Sequence, residues 1–293
     1  MKGNIPVIPT PFVDGKIDYE GFEGLINHTS DYVDGYVIGG STGESPALSA
    51  EERIEIAEFF GKRLPEKHIV VGLGHTNLEE AARIGQAAAA AGVRSALVPS
   101  PYYFPNSLEM VKAYVRSLAD RTGLQIIFYD NPVTTNTVYT AQQLIELAEA
   151  VPSIKAIKMT DHNLGKIRAL KRNTSLAVFG GDDIICFRAI EAGIDGNMII
   201  APIIYPKEFK EGWDLYQAGK REESFAIFSK TILPFIHMFG PGDEIPTTKA
   251  LYHHLGLFKS AETRLPLLPS DENRIKETLL GYQYGWTQIQ VSI

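Results

Sequence analysis

Residues 154–161 read Ile-Lys-Ala-Ile-Lys-Met-Thr-Asp and have the composition of a short buried strand. Side chains alternate between the two faces of a strand, so Lys158 shares a face with Ala156 and Thr160. A helical pattern follows at residues 164–170 after a short link. The stretch is therefore one strand–helix unit that carries a lysine almost at the carboxyl end of its strand.

The same unit recurs along most of the chain. Strand-like runs lie at residues 5–11, 36–38, 68–73, 96–98, 125–129, 154–161, 176–179 and 197–200. Alternation of strands with helices over short links favours parallel strands and right-handed crossovers. Eight units over residues 1–219 predict an α/β fold, a closed (β/α)8 TIM barrel. An open doubly wound sheet is the alternative, but no glycine-rich dinucleotide motif follows the first strand.

The chain after residue 220 has a helical pattern without strands. Apolar residues recur there at amphipathic spacing, as in Phe225, Phe228 and Phe235. Residues 248–255 and 272–282 predict further helices. We therefore expect two domains, a barrel over residues 1–219 and a C-terminal helical extension over residues 220–293.

The composition argues against several classes of partner. The 293 residues carry a net charge of -7 without a run of lysine or arginine, which disfavours nucleic acid. No apolar run is long enough to span a bilayer, and no signal-peptide pattern opens the chain. The single cysteine, Cys186, excludes an internal disulfide, and no cysteine–histidine zinc pattern is present. We expect a soluble, cytoplasmic protein.

Lys158 is the main candidate for chemistry. An ammonium group surrounded by apolar side chains is poorly hydrated, and burial of this kind lowers the pKa of a lysine. A lysine that loses its proton near neutral pH attacks carbonyl carbon and forms a Schiff base. A lysine at a strand end also commonly extends its head into water, so this stretch by itself leaves both interpretations open.

Two further segments fall at strand ends, where the active site of a parallel barrel lies. The glycine-rich turn at residues 39–44 exposes backbone N–H groups beside Ser41 and Thr42, an arrangement that binds a carboxylate or a phosphate. Tyr129 ends another strand, and its phenol is suited to relay protons. The alternative for residues 39–44 is an ordinary glycine-rich turn. The alternative for Tyr129 is a core residue whose hydroxyl is hydrogen-bonded.

Seven motifs follow one another along nearly the whole chain. They are Gly40-Ser41-Thr42-Gly43-Glu44, Pro101-Tyr102-Tyr103, Tyr129 with Pro132, the Lys158 strand, Gly181-Asp182-Asp183, Ile245-Pro246-Thr247-Thr248-Lys249 and Arg264-Leu265-Pro266. In order and spacing this set resembles the dihydrodipicolinate synthase/N-acetylneuraminate lyase family. The resemblance implies a metal-free class I aldolase or lyase on a (β/α)8 barrel with C-terminal helices. It also implies a homo-oligomer, usually a tetramer built as a dimer of dimers.

The resemblance implies roles for individual residues. Lys158 forms an imine with the keto carbon of pyruvate or of another 2-oxo acid, and no cofactor is needed. Residues 40–42 hold the pyruvate carboxylate, and Tyr129 shuttles protons together with Ser41. Tyr103 matches a tyrosine that in the synthase branch reaches into a neighbouring subunit to complete the proton relay.

Departures from the family pattern bear on the substrate. Thr134 stands where the synthase branch has an arginine that binds the carboxylate of aspartate semialdehyde, and a threonine cannot supply a charged bidentate clamp. Thr160 matches the lyase and sugar-acid aldolase branch, where it contacts the substrate chain. Asp182 is suited to bind hydroxyl groups but does not discriminate between branches. Ile200 stands where the lyase has a serine, which disfavours sialic acid.

We therefore expect an aldolase that makes or cleaves a C–C bond between pyruvate and a small aldehyde or sugar-acid fragment, and not a true dihydrodipicolinate synthase. Dehydration of a 2-keto-3-deoxy sugar acid through the same imine, N-acetylneuraminate lyase activity and a catalytically idle 2-oxo acid sensor are the alternatives. A metal-dependent aldolase is a further one, because Glu44, Asp182 and Asp183 are carboxylates. No histidine shares their segments at ligand spacing, and His75 is the histidine nearest to a strand end.

Overall fold

The computed structural model describes residues 1–239 and 242–284. The strands are β1 (Gly3–Asn4), β2 (Phe12–Val13), β3 (Lys16–Ile17), β4 (Gly35–Ile38), β5 (His68–Gly72), β6 (Ser95–Pro99), β7 (Gln125–Asp130), β8 (Ile154–Met159), β9 (Ala177–Gly180) and β10 (Gly196–Asn197). The α-helices are α1 (Tyr19–Thr29), α2 (Ala50–Arg63), α3 (Leu78–Ala90), α4 (Leu108–Thr122), α5 (Pro132–Thr135), α6 (Ala141–Ala150), α7 (Leu164–Asn173), α8 (Cys186–Glu191), α9 (Ala201–Ile204), α10 (Pro206–Gln217), α11 (Arg221–Ile227), α12 (Leu233–Ile236), α13 (Glu244–His254) and α14 (Glu272–Tyr284).

The chain divides into two compact units, Met1–Ile8 with Asp34–Ile199, and Pro9–Val33 with Ile200–Ile293. Each unit is built from two separate segments, because the chain leaves the first unit after residue 8 and returns to it at residue 34. The limits of these units fall after residues 8, 33 and 199. They therefore do not test the domain boundary that we predict between residues 219 and 220. That boundary stays a prediction.

The first unit contains the barrel. Its eight strands are parallel and hydrogen-bonded in the order β1-β10-β9-β8-β7-β6-β5-β4. A parallel bridge between Val7 and Val37 joins the two edges of this sheet and closes the ring. Every residue of β4 and of β9 is buried, as expected for strands that are covered on both faces. The predicted (β/α)8 TIM barrel is therefore confirmed.

The first strand differs from the prediction, which placed it at residues 5–11. β1 covers only Gly3–Asn4, although the N–H groups of Ile5 and Val7 donate to the carbonyls of Asn197 and Ile199 beyond it. Pro6, Pro9 and Pro11 interrupt this segment, and proline has no N–H to donate to a ladder. Pro6 accepts from the Val37 N–H but cannot donate to β4, and pairing with β4 is limited to the bridge at Val7 that closes the barrel.

Helix starts in the first unit follow the capping residues. Ser49 and Glu52 form a capping box at the start of α2, and Thr140 with Gln143 does the same for α6. The side chain of Asn77 accepts from two backbone N–H groups at the start of α3. These local signals set where each helix begins and therefore how long each strand-to-helix link is.

The second unit is mainly helical. It holds α1, the hairpin of β2 and β3, and the helices from α9 onward, with a π-helical segment at Phe228–Ile232 between α11 and α12. Phe209, Phe228 and Phe235 are fully buried and form part of its core. The helices predicted after residue 220 are present, and α13 begins four residues earlier than predicted, at Glu244. A C-terminal helical extension is confirmed.

Candidate active site

Lys158 lies near the carboxyl end of β8 with 4% of its surface exposed. The parallel ladder pairs it with Tyr129 on β7, and its Nζ lies 4.2 Å from the centroid of the Tyr129 ring. A methyl group on Gly181 would lie 2.9 Å from Lys158 Cε and 2.8 Å from Thr160 Oγ1. A glycine at position 181 therefore leaves room for the Lys158 side chain.

The glycine-rich turn ends β4 at the same face of the barrel. Thr42 is buried and Ser41 is exposed, and the turn is held by Glu44 N–H, which donates to the Ser41 carbonyl at 3.0 Å. Gly39 and Glu44 both have positive φ, 57° each. A left-handed conformation is strained for a residue with a side chain, so the Glu44 backbone stores strain of about 1–3 kcal/mol at this turn.

Asp182 and Thr160 lie in the links that follow β9 and β8. Thr160 Oγ1 donates to the Gly181 carbonyl at 3.4 Å. Asp182 Oδ1 accepts from the Ile184 N–H at 2.8 Å, and Asp182 Oδ2 lies 2.9 Å from His162 Nε2. Both oxygens of this carboxylate therefore have protein partners, and the His162–Asp182 contact joins the links that follow two neighbouring strands.

A buried ionic cluster lies at the ends of β7 and β8. Lys166 Nζ donates to Asp130 Oδ2 at 2.6 Å and to Asp161 Oδ2 at 2.7 Å. Burial raises the pKa of Asp130 above its ordinary value, although the Lys166 ammonium group opposes this shift. Partial burial also acts to raise the pKa of Asp161, but hydrogen bonds from Lys166 and the Asn163 N–H lower it below its ordinary value. We call Lys166, Asp130 and Asp161 the Lys166 cluster.

Comparison with known proteins identifies the family of the chain. The family model described as the dihydrodipicolinate synthetase family matches residues 1–279. The chain belongs to this family. As a dihydrodipicolinate synthetase family member it is an enzyme of the carbon–carbon lyase or aldolase class.

Individual members of the dihydrodipicolinate synthetase family align over nearly the full chain. A 4-hydroxy-tetrahydrodipicolinate synthase of Hydrogenobaculum sp. (strain Y04AAS1) is 33% identical over 96% of this chain and 99% of its own length. One of Methanococcus maripaludis (strain C6 / ATCC BAA-1332) is 32% identical over 94% of this chain and 96% of its own. The solved 4-hydroxy-tetrahydrodipicolinate synthase of Methylacidiphilum fumariolicum SolV superposes with a TM-score of 0.88 at 27% identity, covering 96% of both chains. CdNal of Clostridium difficile, solved with mannosamine, shares the fold with a TM-score of 0.89 at 23% identity, over 96% of this chain and 98% of its own.

Tyr103 and Ile200 are two further residues for which the sequence predicts a role in the site. Tyr103 is 87% exposed, has a φ of 87° and packs edge-to-face against Phe104. The Asn106 side-chain amide donates to two carbonyl groups of this loop and holds its shape. Ile200 is buried, belongs to the second unit and precedes α9. The roles predicted for both residues stay predictions.

Sequence reasoning missed His162 and the Lys166 cluster. His162 and Asp182 are 20 residues apart, so spacing along the chain gives no sign of their contact. Lys166 and Asp130 are 36 residues apart, and a lysine on an amphipathic helix is usually interpreted as a solvent-exposed residue. His75, the histidine singled out from the sequence, has a loop role, because its Nδ1 accepts from the Asn77 N–H.

Two general properties complete the description of the site. Among residues 1–239 and 242–284, no group of three or more His, Cys, Asp or Glu side chains is arranged to hold a metal ion. No helix in this part of the chain is long and apolar enough to cross a membrane.

Proposed function

We propose that this family member makes or cleaves a C–C bond between pyruvate and an aldehyde through an imine on Lys158. The observation that carries the proposal is the position of the buried Lys158 nitrogen 4.2 Å from the Tyr129 ring at the carboxyl end of the barrel strands. A buried amine beside a phenol combines a nucleophile for a keto carbon with a group that transfers protons. The chemistry requires no other cofactor.

The reaction begins with attack of Lys158 Nζ on the keto carbon of pyruvate, and the resulting carbinolamine loses water to form the imine. The Tyr129 phenol gives its proton to the departing hydroxyl group of the carbinolamine and becomes a phenolate, so the imine forms in its protonated state. The protonated imine withdraws electrons, and the Tyr129 phenolate then takes a methyl proton to give the enamine. The enamine carbon then attacks the aldehyde carbon, and Tyr129 returns the proton to the aldehyde oxygen. Hydrolysis of the product imine releases a 4-hydroxy-2-oxo acid and restores the amine. The reverse sequence cleaves such an acid.

The turn after β4 is proposed to hold the pyruvate carboxylate. Gly40, Ser41 and Thr42 place small side chains, hydroxyl groups and backbone N–H groups at one position, and such a concave run of donors suits an anion. Hydrogen bonds to a carboxylate are charge-assisted and therefore stronger than neutral ones. From the family resemblance we also propose that the Ser41 hydroxyl takes part in the proton relay of Tyr129.

Helix α5 (Pro132–Thr135), near which the family's synthase branch binds the acceptor aldehyde, contains no cationic side chain. Thr134 and Val133 are exposed there, and Val133 is 88% exposed. We propose that the acceptor is a small or partly apolar aldehyde or a sugar-acid fragment, contacted by Thr160 and by Asp182 together with its partner His162. A second candidate function is 4-hydroxy-tetrahydrodipicolinate synthesis, which the names of the relatives at 32–33% identity favour.

We further propose that the enzyme is a homo-oligomer in which Tyr103 reaches a neighbouring copy. Tyr103 and Phe104 form an exposed aromatic pair, 87% and 71% exposed, on a loop that Asn106 holds in place. Exposed aromatic side chains on an ordered loop are typical of protein interfaces. A tetramer built as a dimer of dimers agrees with the family resemblance.

Trapping of the imine tests the proposed function. Incubation with pyruvate followed by borohydride reduction should add the mass of reduced pyruvate at Lys158, and Lys158→Ala should abolish both the adduct and turnover. Lys155→Ala is the matched control, because Lys155 lies on the same strand with its side chain exposed. Turnover that survives in Lys158→Ala and disappears with a chelator would instead support a metal-dependent aldolase.

A further inference from the structure

The Lys166 cluster lies directly behind the two residues to which we assign the chemistry. Tyr129 and Asp130 are consecutive on β7, so their side chains project from opposite faces of the barrel sheet. Tyr129 faces Lys158, and Asp130 therefore faces the helix layer, where Lys166 lies in the first turn of α7. The cluster is thus on the outer side of the strands whose inner side carries the reacting groups.

Lys166 connects both strand ends to one helix. Asp130 is the last residue of β7, and Asp161 follows Lys158 by three residues. The Lys166 ammonium group donates to both carboxylates, and the Thr160 N–H donates to the Asp130 carbonyl at 3.0 Å. The helix start is itself fixed, because the Asn163 side chain accepts from the Gly165 and Lys166 N–H groups.

Burial of this cluster is costly and is poorly explained by stability alone. Asp130 is fully buried and the Lys166 side chain is 5% exposed. Asp130 Oδ1 has no hydrogen-bond partner among the described groups. Removal of two charges from water is only partly compensated by their attraction, and apolar replacements of buried pairs are often neutral or stabilising. A buried charge pair with an unsatisfied oxygen is more readily explained by a requirement for position.

We propose that Lys166 is a positioning residue that holds the ends of β7 and β8 in register, so that Tyr129 stays next to the Lys158 nitrogen. The inference rests on the proposed imine chemistry, because it concerns the two groups that carry it. Lys166 does not touch substrate. It acts through Asp130 on the strand of Tyr129 and through Asp161 on the strand of Lys158.

The test compares two lysines of the same helix. Lys166→Met removes the cation of the cluster, and Lys171→Met removes a cation of α7 that pairs with Asp195. The rate constant of borohydride-trapped adduct formation with pyruvate is expected to fall roughly 10- to 100-fold in Lys166→Met, the cost of a small misplacement of reacting groups. The KM for pyruvate should stay near that of the wild type, because residues 40–42 are untouched. Lys171→Met should keep the wild-type trapping rate.

A double variant separates position from stability. Asp130→Asn combined with Lys166→Met removes the uncompensated buried carboxylate, and its Tm should recover relative to Lys166→Met. Its trapping rate should stay low, because the connection between the two strand ends is still missing. Recovery of the trapping rate together with the Tm would overturn the proposal and leave the cluster a structural role only.

If Lys166→Met does not fold, a variant that disturbs the cluster less can be used in its place. Asp161→Asn keeps the buried pair of Asp130 and Lys166 and alters a side chain that is 21% exposed. It should lower the trapping rate without a large change in Tm, and an unchanged rate would contradict the proposal. A wild-type protein that traps no pyruvate would refute the proposed function and this inference with it. If the wild type traps pyruvate and Lys166→Met traps it at the same rate, only the positioning role of Lys166 is refuted.

Discussion

At the scale of single residues, the site depends on which side chains are small. Lys158 is 4% exposed and is packed against the Tyr129 ring on one side and Gly181 on the other. A Cβ at position 181 would meet Lys158 Cε at 2.9 Å, closer than carbon atoms normally approach. An imine adds the bulk of pyruvate to the lysine nitrogen, so this freedom from crowding is needed for the chemistry as well as for the fold.

Thr134→Arg tests the acceptor specificity. An arginine at this exposed position in α5 would offer a charged clamp for the carboxylate of aspartate semialdehyde, and a charge-assisted hydrogen bond contributes about 1.5–3 kcal/mol. We expect kcat/KM with aspartate semialdehyde to rise about tenfold or more, as measured by condensation with pyruvate. Val133→Arg places the same charge one residue away and should give a smaller gain. Efficient turnover of aspartate semialdehyde by the unmodified enzyme would refute the acceptor assignment and support the synthase candidate.

At the scale of elements, the ladder between β7 and β8 sets the relation of the reacting groups. The register shifts between Ile126 and Ile127, and the pairs that follow place Tyr129 opposite Lys158 and Asp130 opposite Met159. A slip of one residue would turn each side chain to the other face of its strand. The helix α7 then fixes this register from outside through Lys166. The proposed catalytic geometry therefore depends on the strand pair β7–β8 and on α7 together.

Gly72→Ala tests how β5 supports the turn that is proposed to bind pyruvate. A methyl group on Gly72, the last residue of β5, would overlap the Gly39 carbonyl, which is backbone and cannot move aside alone. We expect a loss of about 1–3 kcal/mol of stability from overpacking, measured by denaturant unfolding. The KM for pyruvate should rise because the turn at residues 39–44 is displaced.

Gly61→Ala is the control for this change. A methyl group there would overlap the Ala91 carbonyl, a comparable clash with backbone away from the turn. It should destabilise the protein to a similar degree and leave the KM for pyruvate unchanged. Equal KM values in Gly61→Ala and Gly72→Ala would show that the turn does not depend on β5 in the way we propose.

At the scale of the whole molecule, half-buried histidines link stability to pH. Burial is the main cause that lowers the pKa of His28, His68 and His75 below the ordinary value of 6.5. The unfolded chain then binds protons at these sites at a higher pH than the folded chain does. Their contribution to stability is complete above the unfolded pKa and is lost as the pH falls below it. Asp130 opposes this loss at more acidic pH, because its folded pKa is raised.

Thermal unfolding as a function of pH measures this linkage. The Tm should fall as the pH is lowered from about 7 to about 5, by roughly 2–4 °C for each kcal/mol lost. His68→Gln should make this slope shallower, because the side chain no longer titrates while an amide can still reach the hydroxyl of Ser95, which lies 3.0 Å from His68 Nε2. A slope that is the same in His68→Gln and in the wild type would exclude His68 as a contributor.

The fold and the position of Lys158 and Tyr129 at one end of the barrel could be predicted from the sequence because they depend on local patterns. Strand runs, capping residues such as Ser49 and Asn77, and glycine turns are readable within a few positions. Their repetition eight times implies a closed barrel, and a barrel places Lys158 and Tyr129 at one face. The bounds of the first strand were harder to predict, because Pro6 has no N–H to donate and pairing with β4 is limited to the bridge at Val7.

Tertiary structure alone decided which charged side chains meet. Lys166 and Asp130 are 36 residues apart, and His162 and Asp182 are 20 apart, so no period along the chain connects either pair. These contacts exist because the folded barrel brings parallel strand ends and the helix that covers them next to each other. A sequence pattern records the burial of apolar side chains, since burial follows the period of each element. The partner of a buried charge depends on three-dimensional proximity, which that period does not record.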